Sequence, residues 1–300
     1  MTASSPYTSD NETFTVDPSD NLSIDTTLKI RVTTGVKDPS GNSMSSDNTT
    51  GTGFTTQAGA PPTAPSVSGT TPTNDTTPTW SWSPGGGGNG TYRYKLDNSD
   101  LTSGATQTTS TSYTPGSGIS EASHTLYVQE RDAAGNWSSS GSRTIVIDTT
   151  PPTITGTTVA SNNASIAVTF SEAVYNTSGG SGALEASDFT LTLSGGTATL
   201  SSATPSSISS SSNTYTLGLS LSGTPNGSET ITVVPSSSTA IYDAAGNAAS
   251  TSQSNNTVTL NDTTAPAITG TTVTSNNESI AVTFSEAVHN TSGGSGALEA

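Results

Sequence analysis

A short motif, Asp-x-x-Gly-Asn, occurs three times and constrains the fold of this chain more than any other feature. The copies occupy residues 38–42, 132–136 and 243–247, spaced roughly one hundred residues apart. Each copy lies between two strand-like runs. Asp can hydrogen-bond to its own backbone, and Gly and Asn tolerate positive φ, so each copy predicts the turn of a β-hairpin. The spacing therefore predicts a tandem array of β-modules, each the size of an immunoglobulin (Ig) domain.

The apolar residues of this chain alternate with Ser and Thr along short segments. Only 29% of the residues are hydrophobic and 10% are charged, with a net charge of −16 over 300 residues. That composition leaves a disordered Ser/Thr-rich stalk as one interpretation. The charge density is low for disorder driven by repulsion, however, and period-2 alternation is typical of half-buried antiparallel strands. Folded β-modules are therefore the favoured prediction.

Several classes of function are disfavoured by the residues that are scarce. The seven Lys and Arg residues are dispersed, whereas nucleic-acid binding needs clustered cations. The chain has no Cys, which excludes disulfides, thiolate metal sites and cysteine nucleophiles. Of the two His residues, His289 is replaced by Tyr175 in a sister repeat, and His124 is predicted at the surface. We therefore predict no enzyme, no nucleic-acid partner and, since no apolar run approaches 18 residues, no membrane span in this segment.

Proline-rich linkers divide the chain into four parts. The stretch AGAPPTAP covers 58–65, and Asp148-Thr-Thr-Pro-Pro recurs as Asp262-Thr-Thr-Ala-Pro. Consecutive prolines fix φ and donate no ladder hydrogen bonds, so these segments separate modules. The predicted parts are the C-terminal piece of a truncated module (1–60), a complete module (61–150), a second complete module (151–264) and the first piece of another (265–300).

The last part is a near copy of an earlier one. Residues 267–300 repeat 153–186 with four substitutions in 34 positions. Residues 1–60 contain the last strands of a module and 267–300 contain the first strands of one. We therefore expect the sequence to be a section of a longer repeat array.

Two stretches resemble known bacterial domains. GVKDPSGNSM followed by GTGFTT resembles the end of Ig-like domains in surface-layer proteins, and PTWSWSPGGGGNGTYRYKLDN with HTLYVQERDAAGNWS resembles the bacterial Ig-like (Big-type) repeats of large surface and secreted adhesin-like proteins. The resemblance implies an all-β chain of tandem Ig-like antiparallel β-sandwiches joined by short Pro-rich linkers. It also implies a bacterial, extracellular or cell-surface location and a non-catalytic spacer that presents adhesive domains, with neighbouring repeats as its partners.

Acidic residues recur where modules are predicted to join. In Ig topology the chain entry, the loop between the second and third strands and the loop between the last two strands lie at one end of the module. For residues 151–264 these positions hold Asp148, Glu172 and Asp243, with Asn247 beside them. Hard oxygen ligands of this kind suit Ca²⁺. The arrangement is similar to the calcium-stiffened joints of cadherins and of giant bacterial adhesins.

The other predicted joints between modules have fewer acidic residues. The next joint would use Asp262 and Glu286, whereas the first joint has Asp132 alone and is predicted to be metal-free and more mobile. The alternative for the calcium site is that Glu172 is a solvated loop residue and that Asp148 merely ends a strand.

Two other functions remain open from the sequence. Trp80, Trp82 and Trp137 could form an aromatic strip that binds a glycan, although such residues more often pack in a core. The chain could thus contact a host surface or a polysaccharide directly. It could also be an accessory module of a secreted enzyme that acts on polysaccharides.

Overall fold

The computed structural model describes residues 10, 12–16, 18, 22–23, 26–56, 59–296 and 298. Ala58, where the first predicted linker begins, lies outside these residues. In the described part the chain is all-β, with antiparallel strand pairs and one 3₁₀ turn at Ala186–Asp188. By its internal contacts the chain divides into two units, one of residues 1–71 with 76–146 and one of residues 72–75 with 147–300. The finer division into four parts stays a prediction.

The first unit begins with an irregular hairpin around the Asp38–Asn42 turn. Its strands are β1 (Thr27–Leu28), β2 (Arg31–Val32), β3 (Asn48–Thr49) and β4 (Phe54–Thr55), with β1 paired to β4 and β2 to β3. The sequence predicts one continuous strand over 28–32. Between the two paired segments, however, residues 29–30 face the four residues 50–53, and Gly53 has a φ of 73°. The extra residues bulge out of the ladder and interrupt the strand.

The rest of the first unit is a β-sandwich. Its strands are β5 (Ser66–Ser68), β6 (Trp80–Ser83), β7 (Thr91–Leu96), β8 (Thr106–Thr108), β9 (Ser112–Tyr113), β10 (Ser123–Arg131) and β11 (Gly141–Val146). One sheet has the order β5-β6-β9 and the other β11-β10-β7-β8. Trp82 of the first sheet meets Tyr92 of the second edge to face at 5.8 Å. Alternation therefore buries one face of each sheet in a shared core.

The second unit has the strand order of an Ig domain. Its strands are β12 (Ile154–Val159), β13 (Ser165–Phe170), β14 (Phe189–Ser194), β15 (Thr199–Leu200), β16 (Ile208–Ser211), β17 (Thr214–Gly218), β18 (Leu221–Ser222), β19 (Thr230–Pro235) and β20 (Thr257–Thr259). The sheets β12-β13-β17-β16 and β14-β19-β20 correspond to the ABED and CFG sheets of Ig constant domains. A short pair, β15-β18, accompanies them.

Aliphatic and aromatic side chains from both of these sheets fill the core of the second unit. Ile166, Leu217, Ile231 and Val233 are fully buried, and Phe170 packs edge to face on Tyr215 at 5.9 Å. Burying each such side chain contributes about 1.5–3 kcal/mol. The predicted fold class, tandem Ig-like sandwiches, is confirmed.

The final hairpin repeats the geometry of the first hairpin of the second unit's sandwich. It consists of β21 (Ile268–Val273) and β22 (Ile280–Phe284), whose register and irregularity match those of β12 and β13. Ile166 is 0% exposed, whereas its repeat counterpart Ile280 is 67% exposed. The two hairpins therefore share one register and differ in burial.

His124, which the sequence predicts at the surface, is half-buried and paired with an acidic residue. Its side chain is 12% exposed, and its Nδ1 lies 2.7 Å from Oδ2 of Asp97. The hydrogen bond with Asp97 outweighs the effect of burial and raises the pKa of His124. The protonated imidazole is therefore favoured by folding.

Stability of the first unit should consequently depend on the His124–Asp97 pair. Because the folded pKa is raised, the contribution is complete below the unfolded pKa of about 6.5 and is lost as the pH rises through the folded value. Asp97 is nearly half exposed, so the effect should be about 1 kcal/mol or less. Urea unfolding at acidic and alkaline pH measures it. Asp97→Asn, which tolerates the positive φ at this position, should flatten the pH dependence, and an unchanged dependence would contradict the assignment.

Candidate metal centre

Three carboxylates from distant parts of the sequence meet at one end of the second unit. One carboxylate oxygen from each of Asp148, Glu172 and Asp243 lies within 4.8 Å of the other two. Asp148 precedes β12, Glu172 follows β13, and Asp243 lies in the connection from β19 to β20. Alternating strand direction brings these three connections together, as the sequence predicts. Whether the cluster holds a metal stays a prediction.

Asp243 has a structural role as well. It is 0% exposed, and its Oδ1 accepts hydrogen bonds from the backbone N–H of Gly246 (2.7 Å) and of Asn247 (2.8 Å). Its Oδ2 accepts a hydrogen bond from Nδ2 of Asn247 (2.7 Å). A carboxylate offers about four acceptor positions, so these three bonds leave about one for a cation.

Asn247 connects the turn to the entering chain. Its Nδ2 donates to the backbone carbonyl of Asp148 at 2.9 Å as well as to Asp243. Because an amide nitrogen in this role is a donor, only Oδ1 of Asn247 can act as a metal ligand. The predicted ligand is therefore close to the cluster, but it contacts Asp148 through its nitrogen.

Further hydrogen bonds hold the backbone around the cluster in place. The N–H of Asp148 donates to the carbonyl of Thr73 (3.0 Å), and the N–H of Asn74 donates to the carbonyl of Ala245 (3.1 Å). The Oδ1 of Asp148 accepts from the N–H of Thr150 (3.0 Å). The positions of the three carboxylates are thus set by ordered backbone.

Asp262 and Glu286 repeat part of this arrangement. The Oδ1 of Asp262 accepts from the N–H of Thr264 at 2.8 Å, as Asp148 does from Thr150. Desolvation, together with the charge and hydrogen bond of Asp262, raises the pKa of Glu286. These two predicted ligands are therefore in contact. Among the described residues no third acidic or imidazole side chain completes a cluster with them.

The other two copies of the motif share the turn but not the cluster. Asp132 accepts from the N–H and Nδ2 of Asn136, and Asp38 accepts likewise from Asn42. The side-chain hydrogen bond from the Asn is the main reason that the pKa of each Asp is lowered. The glycines of all three copies have positive φ, 86° at Gly41, 98° at Gly135 and 97° at Gly246, as the turn prediction requires. In the described part of the chain no group of three ligand side chains forms around Asp132 or Asp38.

Sequence reasoning missed two buried carboxylates. Glu229 and Glu130 are 0% and 1% exposed. Each fits under a glycine-containing loop, since a Cβ on Gly196 or on Gly88 would lie 2.1 Å from the respective carboxyl group. The available signal was an acidic residue in phase with the apolar residues of its strand, as Glu130 is with Leu126 and Val128.

The proposed aromatic strip for glycan binding is wrong for two of its three members. Trp80 and Trp82 are buried, because alternation along β6 directs both rings into the core and its Ser residues outward. Trp137 alone is half-buried at the surface, with the guanidinium of Arg93 over its ring. A strip of three exposed rings therefore does not exist.

The strand orders of the two units define Ig-like β-sandwiches, and the second carries an acidic cluster at its entry end. Residues 1–56 match the family described as Bacterial Ig-like domain, which confirms the resemblance for that segment. No curated protein matches the chain. No helix among the described residues combines the length and apolarity needed to cross a bilayer.

Solved structures give weaker similarities. A chitinase, ChiA74 from Bacillus thuringiensis, is 17% identical with a TM-score of 0.25, over 69% of this chain and 30% of its own. The BSP domain of a biofilm associated protein is 17% identical with a TM-score of 0.21, over 67% of this chain and 30% of its own. The chain thus spans less than a third of each structure. At these TM-scores neither similarity informs the fold or the function.

Proposed function

We propose that this chain is a non-catalytic spacer segment of a bacterial cell-surface or secreted protein, in which Ig-like modules present adhesive domains. The fold supports this proposal because each sandwich buries its own core. Two groups that could act in catalysis are engaged in structure: His124 is paired with Asp97, and Glu229 binds backbone N–H groups. Neighbouring repeats are the proposed partners.

We further propose that calcium binds at Asp148, Glu172 and Asp243 and fixes the entering chain against the turn. The observation that carries this proposal is the convergence of three carboxylates within 4.8 Å, one of them fully buried. Two like charges at that separation repel by about 3 kcal/mol at an effective dielectric constant of about 20. A divalent cation relieves this repulsion, and an all-oxygen donor set suits Ca²⁺ rather than Zn²⁺.

Calorimetry with and without calcium tests the proposal. In calcium, the unfolding transition of the second unit should rise by several degrees relative to chelator, since a ligand at 100 times its Kd adds about 2.7 kcal/mol. The transition of the first unit should not move. Glu172→Gln should abolish most of the shift, and in chelator it should be at least as stable as the wild type because repulsion is reduced.

A matched variant controls for the loss of one charge. Glu278 is exposed and lies on the last hairpin, so Glu278→Gln should keep the full calcium shift. We propose Asp262 and Glu286 as a weaker second site, since only two carboxylates are in contact there. Glu286→Gln should therefore lower the calcium stoichiometry in titration calorimetry but keep the shift. An unshifted wild type, or an equal shift in Glu172→Gln, would refute the site.

A further inference from the structure

The outer surface of the sheet β11-β10-β7-β8 carries three of the chain's seven Lys and Arg residues. We define the basic face as Arg93, Lys95, Tyr127, Gln129, Arg131 and Trp137. Tyr127 is paired with Lys95 and Gln129 with Arg93, so their side chains share one side of the sheet. The intervening residues Val128 and Glu130 are buried on the other side. Glu130 is the sole acidic residue of these four strands, and it points inward.

Arg93 is held in place at the centre of this face. Its guanidinium carbon lies 4.4 Å from the centroid of the Trp137 ring, and its Nε donates to Oε1 of Gln129 at 2.7 Å. Its two terminal amino groups make no hydrogen bond within the described residues. A guanidinium that is stacked on one side and anchored at Nε presents a fixed fork of donors, which matches the geometry of a carboxylate.

Two further cations flank Arg93. The guanidinium carbon of Arg131 lies 5.8 Å from the Trp137 ring. Lys95 donates through Nζ to the backbone carbonyls of Asp100 (3.2 Å) and Ser103 (2.9 Å). The carboxylate of Asp100 accepts hydrogen bonds from the N–H and hydroxyl of Thr102, and it places one negative charge near Lys95 and Arg93. The three cations of the face outnumber this carboxylate, in a chain whose net charge is −16.

The chemistry of the face indicates its ligand. Three cations select an anion, and an indole, a phenol and a glutamine amide are groups that pack on and hydrogen-bond to sugar rings. Three positive charges on a strongly acidic chain are too few for the phosphate neutralisation that nucleic-acid binding needs. We propose that the basic face binds a carboxylated polysaccharide, with the fork of Arg93 on a uronate carboxylate. This inference is independent of the calcium site, which lies in the second unit.

Binding of polygalacturonate to the full chain tests the inference, with titration calorimetry and tryptophan fluorescence as readouts. Chelator is present throughout, so that calcium cannot bridge two anions. The wild type should bind polygalacturonate but not its fully methyl-esterified form, and affinity should fall as salt is added. Trp80 and Trp82 are buried, so the change in emission should come from Trp137.

Variants separate this site from a general charge effect. Arg93→Ala should weaken binding about tenfold or more, the loss expected for a charge-assisted hydrogen-bonded contact. Arg93→Lys keeps the charge but cannot form the fork, so it should also bind several-fold more weakly. Lys37→Ala removes one exposed positive charge from outside the face and should bind as the wild type does.

Three results would overturn the inference. One is no binding of polygalacturonate by the wild type. Another is an equal loss of affinity for polygalacturonate in Lys37→Ala and Arg93→Ala. A third is equal affinity for dextran sulfate, single-stranded DNA and polygalacturonate, which would show attraction by charge alone.

Discussion

Replacing Glu229 with Ala is expected to destabilise the second unit by about 3 kcal/mol or more. The carboxylate is 0% exposed, and its Oε1 accepts from the N–H of Thr197 (2.8 Å) and Ala198 (3.0 Å), while its Oε2 accepts from the N–H of Asn226 (3.0 Å). Truncation leaves these donors without their acceptor and opens a cavity beneath the loop at Gly196. Each unsatisfied buried donor costs about 1–3 kcal/mol, which exceeds the gain from no longer burying a charge.

Chemical denaturation of the second unit measures this loss. Glu278→Ala is the matched control, because Glu278 is exposed and its truncation should change stability by about 0.5 kcal/mol or less. Glu229→Gln keeps the shape of the side chain, but its amide nitrogen must face a backbone donor. It should therefore also be less stable than the wild type. A Glu229→Ala variant as stable as Glu278→Ala would show that the loop does not depend on the carboxylate.

Because of the same contacts, the contribution of Glu229 to the stability of the second unit depends on pH. Desolvation acts to raise its pKa, but the hydrogen bonds from backbone N–H groups outweigh this effect, so the pKa is lowered. Its contribution to stability is therefore present above the unfolded pKa of about 4.3 and is lost as the pH falls through the folded value. Glu229→Gln should remove this part of the acid sensitivity.

The sequence predicted those parts of the fold that depend on local pattern and on simple topology. Alternation of apolar residues with Ser and Thr predicted half-buried antiparallel strands, and the Asp-x-x-Gly-Asn motif predicted the positions of the turns. The meeting of Asp148, Glu172 and Asp243 followed from a single rule, that alternating strands bring every second connection to the same end.

What the sequence did not predict depends on contacts between distant segments. Glu229 is in phase with Ile231 and Val233, which is a local signal of burial. The backbone N–H groups that stabilise it lie in a loop about thirty residues earlier, and no local pattern predicts that contact. The break in the strand over 28–32 arises from extra residues in its partner, which lie near Gly53. Asn247 was predicted from its type as an oxygen ligand, yet its amide nitrogen is what contacts the carbonyl of Asp148.

Asp243→Ala is expected to destabilise the second unit by about 2–4 kcal/mol, whereas Asp38→Ala should leave the first unit nearly as stable as the wild type. Both Asp side chains accept the backbone N–H and the Nδ2 of the Asn four residues later. The difference is burial, because Asp243 is 0% exposed and Asp38 is exposed, so water can replace the lost partner only at Asp38. Calorimetry that resolves the two transitions compares the variants directly.

The loss of stability caused by Asp243→Ala should depend on calcium. If Asp243 acted only in the turn, the loss would be the same with and without calcium. Without metal, removing Asp243 also relieves its repulsion with Asp148 and Glu172, which offsets part of the lost hydrogen bonding. With calcium bound to the wild type there is no such relief, and the variant also forfeits the ligand. The destabilisation should therefore be larger in calcium than in chelator for Asp243→Ala and equal in both for Asp38→Ala. If Asp243→Ala destabilises the second unit equally in calcium and in chelator, Asp243 acts in the turn but does not bind calcium.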